Sequence, residues 1–218
     1  GWKDSVGDFH YSVNANLATL HNEVLSLHPA LPRIEGTKGG VSGLNGHQRT
    51  SFEPGYPIWY FRGYDYVGVD PKTGSPLYHN AAGEVVSTVE EGDLQYIGKA
   101  IPDMTYGLTI NLAYKGFDMV IFGTGTAGNK IFPSSWRADR PHCNTYSWYW
   151  ENSWKQPGDN AKFPGTYYWN IPTFSSTYNL FDGSYFKIKQ IQLGYTFPQK
   201  WMKTVKVQNF RVYASLDD

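Results

Sequence analysis

The densest group of side chains suited to ligand binding lies between residues 136 and 169, where tryptophan and tyrosine are interspersed with arginine, aspartate and asparagine. Flat aromatic rings stack on the apolar CH face of a sugar while neighbouring polar groups bind its hydroxyls, and the same combination suits peptides. The candidate substrate-binding residues are Trp136, Arg137, Asp139, Tyr146, Trp148, Trp150, Trp154 and Trp169. The alternative is that these rings hold a long loop together or dock on a partner protein.

A glycine-rich run matches the letters of a dinucleotide-binding fingerprint. Gly123-Thr-Gly-Thr-Ala-Gly128 follows a strand-like segment, as the first half of that motif requires. The motif also needs a helix directly after it, because the helix N-terminus binds the pyrophosphate. The next residues, Asn129-Lys-Ile-Phe-Pro133, are poor helix sequence. We therefore expect the glycines to end a strand rather than bind a nucleotide.

The patterns for metal binding and catalysis are weak. His142-Cys143 is the only close pair of soft metal ligands, and zinc usually needs three or four. Scattered carboxylates could include a glycosidase pair only at a set separation across a cleft, which sequence does not give. No Ser-His-Asp arrangement stands out. We expect no catalytic residue, no metal and no cofactor, and interpret the protein as a non-enzyme.

The composition excludes other classes of protein. Of the 218 residues, 19 are Lys or Arg and 19 are Asp or Glu, so the chain lacks the basic excess of a nucleic-acid binder. No apolar run approaches the ~20 residues of a membrane helix. Aromatic residues make up 17% of the chain and glycine is frequent, a mixture that favours strands and turns. The single cysteine, Cys143, allows no intrachain disulfide.

Long strands must position the aromatic loop. From Asp8 to Thr19, apolar and polar residues alternate over about ten residues, the length that a tilted strand needs to cross a membrane. One hairpin follows at 108–121, with a tight turn at Lys115-Gly116, and another joins 184–197 to 207–216. Because sandwich strands are usually about five to six residues long, we predict an all-β, antiparallel transmembrane β-barrel segment. A soluble extracellular carbohydrate-binding β-sandwich is the alternative.

The same period assigns one apolar face to these strands. In a barrel this face contacts lipid, and the intervening residues face the lumen. The residues predicted to face lipid are Phe9, Val13, Leu108, Ile110, Leu112, Phe117, Met119, Ile121, Leu193 and Val212. Tyr11, Tyr114, Tyr195 and Trp201 lie near strand ends, which is typical of an interfacial aromatic girdle.

One strand of the last hairpin breaks the period. The apolar residues Phe186 and Ile188 have even residue numbers, whereas the apolar residues Ile191 and Leu193 have odd ones, a difference in parity. A two-residue period cannot change parity without an extra residue, so we predict a β-bulge near Lys189-Gln190.

Two long regions, about 20–106 and 124–181, show no sustained period. Outer-membrane barrels have short periplasmic turns and long extracellular loops, so both regions are expected outside the cell and the turns at 115–116 and 198–206 in the periplasm. Residues 20–106 must then contain an even number of membrane-crossing strands, most simply none. Short strands could form at 56–69, and a helix only around 20–27.

Several segments, in order along the chain, resemble the distal barrel of SusC/RagA-type TonB-dependent transporters. They are Phe61-Arg-Gly-Tyr-Asp-Tyr-Val-Gly-Val69, Gly98-Lys-Ala-Ile-Pro-Asp-Met-Thr-Tyr-Gly-Leu108, Ala113-Tyr-Lys-Gly-Phe-Asp-Met119, Asn160-Ala-Lys-Phe-Pro164, Asp182-Gly-Ser-Tyr-Phe-Lys-Ile-Lys-Gln-Ile-Gln-Leu-Gly-Tyr-Thr-Phe-Pro198 and Asn209-Phe-Arg-Val-Tyr-Ala-Ser215. The resemblance implies a barrel of about 22 strands in the outer membrane of Bacteroidetes. Residues 1–218 would be a distal portion of it, with the plug domain and the final strand absent.

The resemblance also implies a function and partners. Such a transporter imports nutrients, here expected to be oligosaccharides or glycans, with peptides as the alternative within the family. A SusD-like surface lipoprotein caps it and the TonB complex supplies energy. The chain would also contact the lipid bilayer and lipopolysaccharide, but no nucleic acid.

Overall fold

The computed structural model describes residues 1–35, 49–132, 147–168, 171–204 and 206–218. Strands dominate these residues. They are β1 (Trp2–Val6), β2 (Phe9–Thr19), β3 (Ile34–Glu35), β4 (Arg49–Phe52), β5 (Tyr60–Gly63), β6 (Asp65–Val69), β7 (Pro76–His79), β8 (Val85–Val86), β9 (Gln95–Lys99), β10 (Met104–Tyr114), β11 (Phe117–Ala127), β12 (Lys130–Ile131), β13 (Phe181–Asp182), β14 (Tyr185–Thr196) and β15 (Arg211–Asp217). The helices are short: α1 (Ser147–Glu151), α2 (Ile171–Phe174) and α3 (Gln199–Thr204).

The chain divides into two compact units. The first, which we call the sheet unit, comprises Gly1–Leu20, Pro102–Gly128 and Ser184–Asp218. The second, the loop unit, comprises His21–Ile101 and Asn129–Gly183. Most described residues of the two long regions without period therefore form one compact unit.

The sheet unit is a single antiparallel sheet with the strand order β1-β2-β10-β11-β14-β15. Strands β2, β10 and β11 are each 11 residues long and β14 has 12, which confirms the predicted strand length. Lys115 and Gly116 join β10 to β11 with φ angles of 45° and 89°, as a two-residue hairpin turn requires. The all-β, antiparallel fold class predicted from the sequence is confirmed.

Strand register places the predicted lipid-facing residues on one face. Residues directly opposite each other in an antiparallel pair point to the same side. Val13 lies opposite Ile110, and Ile110 lies opposite Ile121. Leu112 lies opposite Met119, and Met119 lies opposite Leu193. The remaining pairs continue the series: Phe9 with Tyr114, Tyr114 with Phe117, Phe117 with Tyr195, Tyr195 with Val212, and Leu108 with Gly123.

This apolar face is not covered by other described residues. Phe117, Leu193 and Val212 are exposed, and none of the predicted lipid-facing residues is buried. A β-sandwich would bury such a face against a second sheet. The opposite face is polar and carries hydrogen-bonded pairs such as Asn111 Nδ2 donating to Ser12 Oγ at 3.0 Å.

The predicted bulge is confirmed at Lys189. Phe122 of β11 lies opposite Gln190, but the next residue, Gly123, lies opposite Ile188, so Lys189 is the extra residue on β14. The insertion returns Phe186 and Ile188 to the apolar face, because Phe186 now lies opposite Gly125.

The loop unit contains short strands and a small aromatic core. Its sheets are β3-β4-β5-β9, β6-β7-β8 and β12-β13, and no strand among its described residues is longer than 5 residues. Such strands are too short to cross a membrane. Tyr64, Tyr78 and Leu94 form a buried cluster.

The loop unit joins sequence segments that are far apart. Tyr64 N donates to Ser175 O at 3.0 Å, and Tyr66 N donates to Thr177 Oγ1 at 2.9 Å across 111 positions of sequence. The short strands predicted at 56–69 are present as β5 and β6. The helix considered for 20–27 is wrong: the segment is irregular, and Val24 pairs through its backbone with Gly55 and Tyr56 instead.

Within the described ranges, no helix is both long and apolar enough to cross a membrane.

Candidate functional site

The described members of the predicted aromatic group, Trp148, Trp150 and Trp154, lie on helix α1 or just after it. Tyr149 on this helix is 2% exposed and stacks on Phe163 with a centroid distance of 4.4 Å and an interplanar angle of 12°. Tyr178 meets Phe163 edge-on at 5.7 Å. Burial raises the pKa of Tyr149, so the phenol stays neutral near physiological pH. Two of these rings, Tyr149 and Phe163, support the ring of Trp148.

Trp148 and Trp150 present ring surface to solvent. They are 43% and 54% exposed, respectively. Trp148 is held by an edge contact with Phe163 at 5.4 Å, and the Lys155 ammonium lies 5.3 Å from the Trp150 ring centroid. Residues two apart on a helix do not face each other, so the two tryptophans offer separate stacking surfaces rather than one clamp.

Trp154 has a structural role. Its Nε1 donates to Pro71 O at 3.0 Å, and its ring packs beside Gly74, where a side chain would collide with it. Gly158 N also donates to Pro71 O at 2.8 Å. For this residue the structure supports the alternative interpretation, that the ring holds the loop together.

The other predicted substrate-binding residues lie outside the described residues. They are Trp136, Arg137, Asp139, Tyr146 and Trp169. His142 and Cys143 also lie outside them. The predicted binding role of this whole group, including Trp148 and Trp150, stays a prediction.

A cavity in the loop unit, lined by both polar and apolar side chains, was missed by the sequence analysis. It has a volume of about 490 Å³. Its polar groups come from Asp70, Thr73, Ser75, Tyr78, Ser87, Thr88 and Tyr168, and Pro76, Val89 and Pro172 complete the lining. The sequence marks Asp70–Gly74 only as a turn, and Ser87 and Thr88 join it through folding.

Hydrogen bonds hold the cavity rim in place. The Asp70 carboxylate accepts from Lys72 N and from Thr73 Oγ1, both at 2.8 Å, and the Lys72 bond is the main cause of a lowered pKa for Asp70. Thr73 Oγ1 lies 2.8 Å from Ser75 Oγ. The rim therefore presents an ionised carboxylate and fixed hydroxyls, which are suited to a polyhydroxylated ligand or to peptide amides.

The glycine-rich run has a structural explanation. Gly123 and Gly125 lie inside β11, and no helix follows it in residues 128–132. Tyr106 and Phe186 lie on either side of Gly125, with nearly parallel rings 6.0 Å apart. A side chain at Gly125 would collide with Tyr106.

Among the residues that the structure describes, no group of three or more His, Cys, Asp and Glu side chains is placed to hold a metal ion.

Comparison with known proteins gives consistent results over almost the whole chain. The chain is 25% identical over 227 residues to the TonB-dependent receptor P3 of Formosa agariphila, covering 95% of the chain and 22% of that protein. It is 24% identical over 219 residues to the TonB-dependent receptor SusC of Bacteroides thetaiotaomicron, covering 97% and 21%. A solved structure of the RagAB peptide transporter aligns with a TM-score of 0.76 at 20% identity, over 99% of this chain and 24% of that one. Over almost its whole length the chain is similar to SusC/RagA-type TonB-dependent receptors. No family model matches it.

The similarity to SusC/RagA-type receptors agrees with the two-faced sheet. The structural likeness covers both units of the chain, so the fold of the loop unit as well as that of the sheet is found in the solved transporter. The chain spans 21–24% of the length of these relatives.

Proposed function

We propose that the full-length protein is an outer-membrane importer of nutrients and that residues 1–218 form part of its barrel wall and part of its extracellular surface. The observation that carries this proposal is the continuous apolar face of the sheet unit, maintained across the Lys189 bulge. In this arrangement the apolar face contacts lipid and the polar face lines the lumen. The mechanism is binding and gated passage, with no covalent step.

The short turns and long insertions support an orientation. Both long insertions leave and return at one end of the strands, where Thr19, Met104, Ala127 and Tyr185 lie. The tight turn at Lys115-Gly116 lies at the opposite end of the strands. Barrels of this class keep short turns in the periplasm, so the loop unit is extracellular in our proposal.

Oligosaccharides are the proposed substrate class. The exposed rings of Trp148 and Trp150 and the hydroxyl-lined cavity beside Asp70 are suited to the CH faces and hydroxyls of sugars. Peptides are the second candidate, because the structurally similar RagAB is described as a peptide transporter. A SusD-like lipoprotein on the extracellular side and the TonB complex on the periplasmic side are the proposed partners.

Uptake by cells tests the import function. A strain that lacks the full-length gene should lose growth on a subset of oligosaccharides and regain it with the gene restored. Loss confined to oligopeptides would select the second candidate. Unchanged growth on both panels would refute nutrient import.

Binding by the full-length protein tests the site. Trp148→Ala and Trp150→Ala should each weaken oligosaccharide binding about fivefold, because stacking on an aromatic ring contributes about 1 kcal/mol. Tyr96→Ala, which removes an exposed ring outside the predicted group, is the matched control. Equal losses in all three variants would argue against a specific site on α1.

A further inference from the structure

The connection between β14 and β15 has an unusual charge pattern. It contains Lys200, Lys203 and Lys206, and no acidic residue occurs from Pro198 to Phe210. The three lysines are exposed, and none forms an ion pair with a described residue. At the start of β15, by contrast, Arg211 is held by the Asp118 carboxylate through bonds of 3.0 and 2.5 Å.

The apolar side chains of the same connection extend the apolar face of the sheet. Tyr195 belongs to that face, and Phe197 packs against it at 5.0 Å. Phe197 in turn contacts Phe210 at 5.3 Å and Trp201 of α3 at 6.5 Å. Trp201 is 58% exposed, so its ring is available at the end of this aromatic series.

Aromatic and basic side chains are thus combined at one end of the sheet. Lys200 and Lys203 are three positions apart on α3 and share a side of the helix, and Trp201 lies on the same helix, between them in sequence. Tryptophan favours the boundary between hydrocarbon and headgroups, and lysine can lay its stem along apolar surface while its ammonium reaches the phosphates. The two residue types therefore fit successive depths of one membrane surface.

We propose that this connection binds the anionic headgroups of phospholipids. Trp201 and Phe210 lie at the hydrocarbon boundary, and Lys200, Lys203 and Lys206 contact the phosphates. The inference rests on the proposed function, because it requires that the apolar face of the sheet contacts lipid. The inference adds that this end of the sheet prefers lipids with negatively charged headgroups, because the net charge of residues 198–210 is positive.

Brominated phospholipids test the proposal in the full-length receptor. The receptor is placed in nanodiscs of phosphatidylcholine containing a small fraction of either brominated phosphatidylcholine or brominated phosphatidylglycerol. Quenching of Trp201 is obtained as the difference between the receptor and its Trp201→Phe variant. We expect stronger quenching by the brominated phosphatidylglycerol, by at least about fivefold in apparent lipid affinity, which corresponds to one lysine at an anionic surface.

Charge variants identify the cause of the preference. The triple change K200Q/K203Q/K206Q should remove the preference for phosphatidylglycerol while quenching by both lipids remains, and K200R/K203R/K206R should restore it. The control K72Q/K155Q/K162Q removes equal charge from the loop unit and should leave the preference intact. A preference that survives K200Q/K203Q/K206Q, or that the control also removes, would overturn the proposal.

Trp2 separates this inference from the proposed function. Its position opposite Val13 places it on the apolar face of the sheet, remote in sequence from the basic connection. If Trp2 is quenched by brominated lipid but Trp201 responds equally to both headgroups, the headgroup inference fails and the lipid-facing sheet stands. If neither residue is quenched, the lipid-facing sheet itself is refuted.

Discussion

Deletion of Lys189 together with Gln190 should cause a specific failure of strand pairing. The bulge at Lys189 returns Phe186 and Ile188 to the apolar face. With both residues removed, Ile188 would lie opposite Phe122, and pairing of residues 185–188 with β11 in a regular register would turn both side chains to the polar face and turn Lys187 toward lipid. The alternative for the chain is to leave this end of β14 unpaired.

The size of the effect follows from exposure. Phe186 and Ile188 are each 49% exposed in the protein alone, and lipid would cover that surface. Full burial of such a side chain contributes about 2 kcal/mol, so each loses about 1 kcal/mol on turning inward. Lys187 is the third residue of β14 and lies near the membrane boundary, where a lysine costs about 0–1 kcal/mol. We expect a loss of about 2–3 kcal/mol in the free energy of unfolding.

Urea unfolding of the full-length protein in lipid vesicles measures this loss. The folded and unfolded fractions are distinguished by their different migration in detergent gels when the samples are not heated. Deletion of Lys189 alone removes only the bulge, so Ile188 still lies opposite Gly123 and Phe186 opposite Gly125, and the loss of stability should be much smaller. If the double deletion is as stable as this single deletion, the role given to strand parity is wrong.

Three further predictions concern single contacts. Trp154→Phe should lower the local stability of the Pro71 turn by about 1 kcal/mol through loss of one hydrogen bond, seen as faster amide exchange there. The pKa of Asp70 is lowered in the folded protein. The stability that its carboxylate gives the turn is therefore present above the ordinary pKa of an aspartate and lost as the pH falls through the lowered pKa. Amide exchange of the turn should accelerate in acid, and Asp70→Asn should remove that pH dependence. The Asp118–Arg211 pair is about one-third exposed, so a double-mutant cycle in vesicle unfolding should give a coupling of about 1 kcal/mol or less.

The sheet unit could be predicted because its signals are local. A two-residue period over 11 residues fixes both the strand and its face, and Lys115-Gly116 fixes the hairpin register. The bulge was predictable for the same reason: the parity of Phe186 and Ile188 differs from that of Leu193, and only an extra residue reconciles them.

The loop unit could not be predicted, because its order depends on contacts between distant segments. Tyr66 is hydrogen-bonded to Thr177 across 111 positions, and neither residue lies in a periodic segment. Trp154 shows the consequence for the site. In sequence it is indistinguishable from Trp148 and Trp150, and only its hydrogen bond to Pro71 reveals a structural role.

In the proposed importer the two units have separate roles, and the topology explains how they can be separate. Register in the sheet is set by the Lys115-Gly116 turn at one end of the strands and by Lys189 within β14. Both long insertions leave from the other end of the strands. Lengthening a connection costs little loop-closure entropy once its ends are held by paired strands. Residues of the loop unit, such as those lining the Asp70 cavity, can therefore change between receptors without displacing a single residue pair of the sheet. The specificity of this segment should accordingly be encoded in residues 21–101 and 129–183, and exchange of these ranges between two such receptors should transfer ligand preference while the sheet keeps its register.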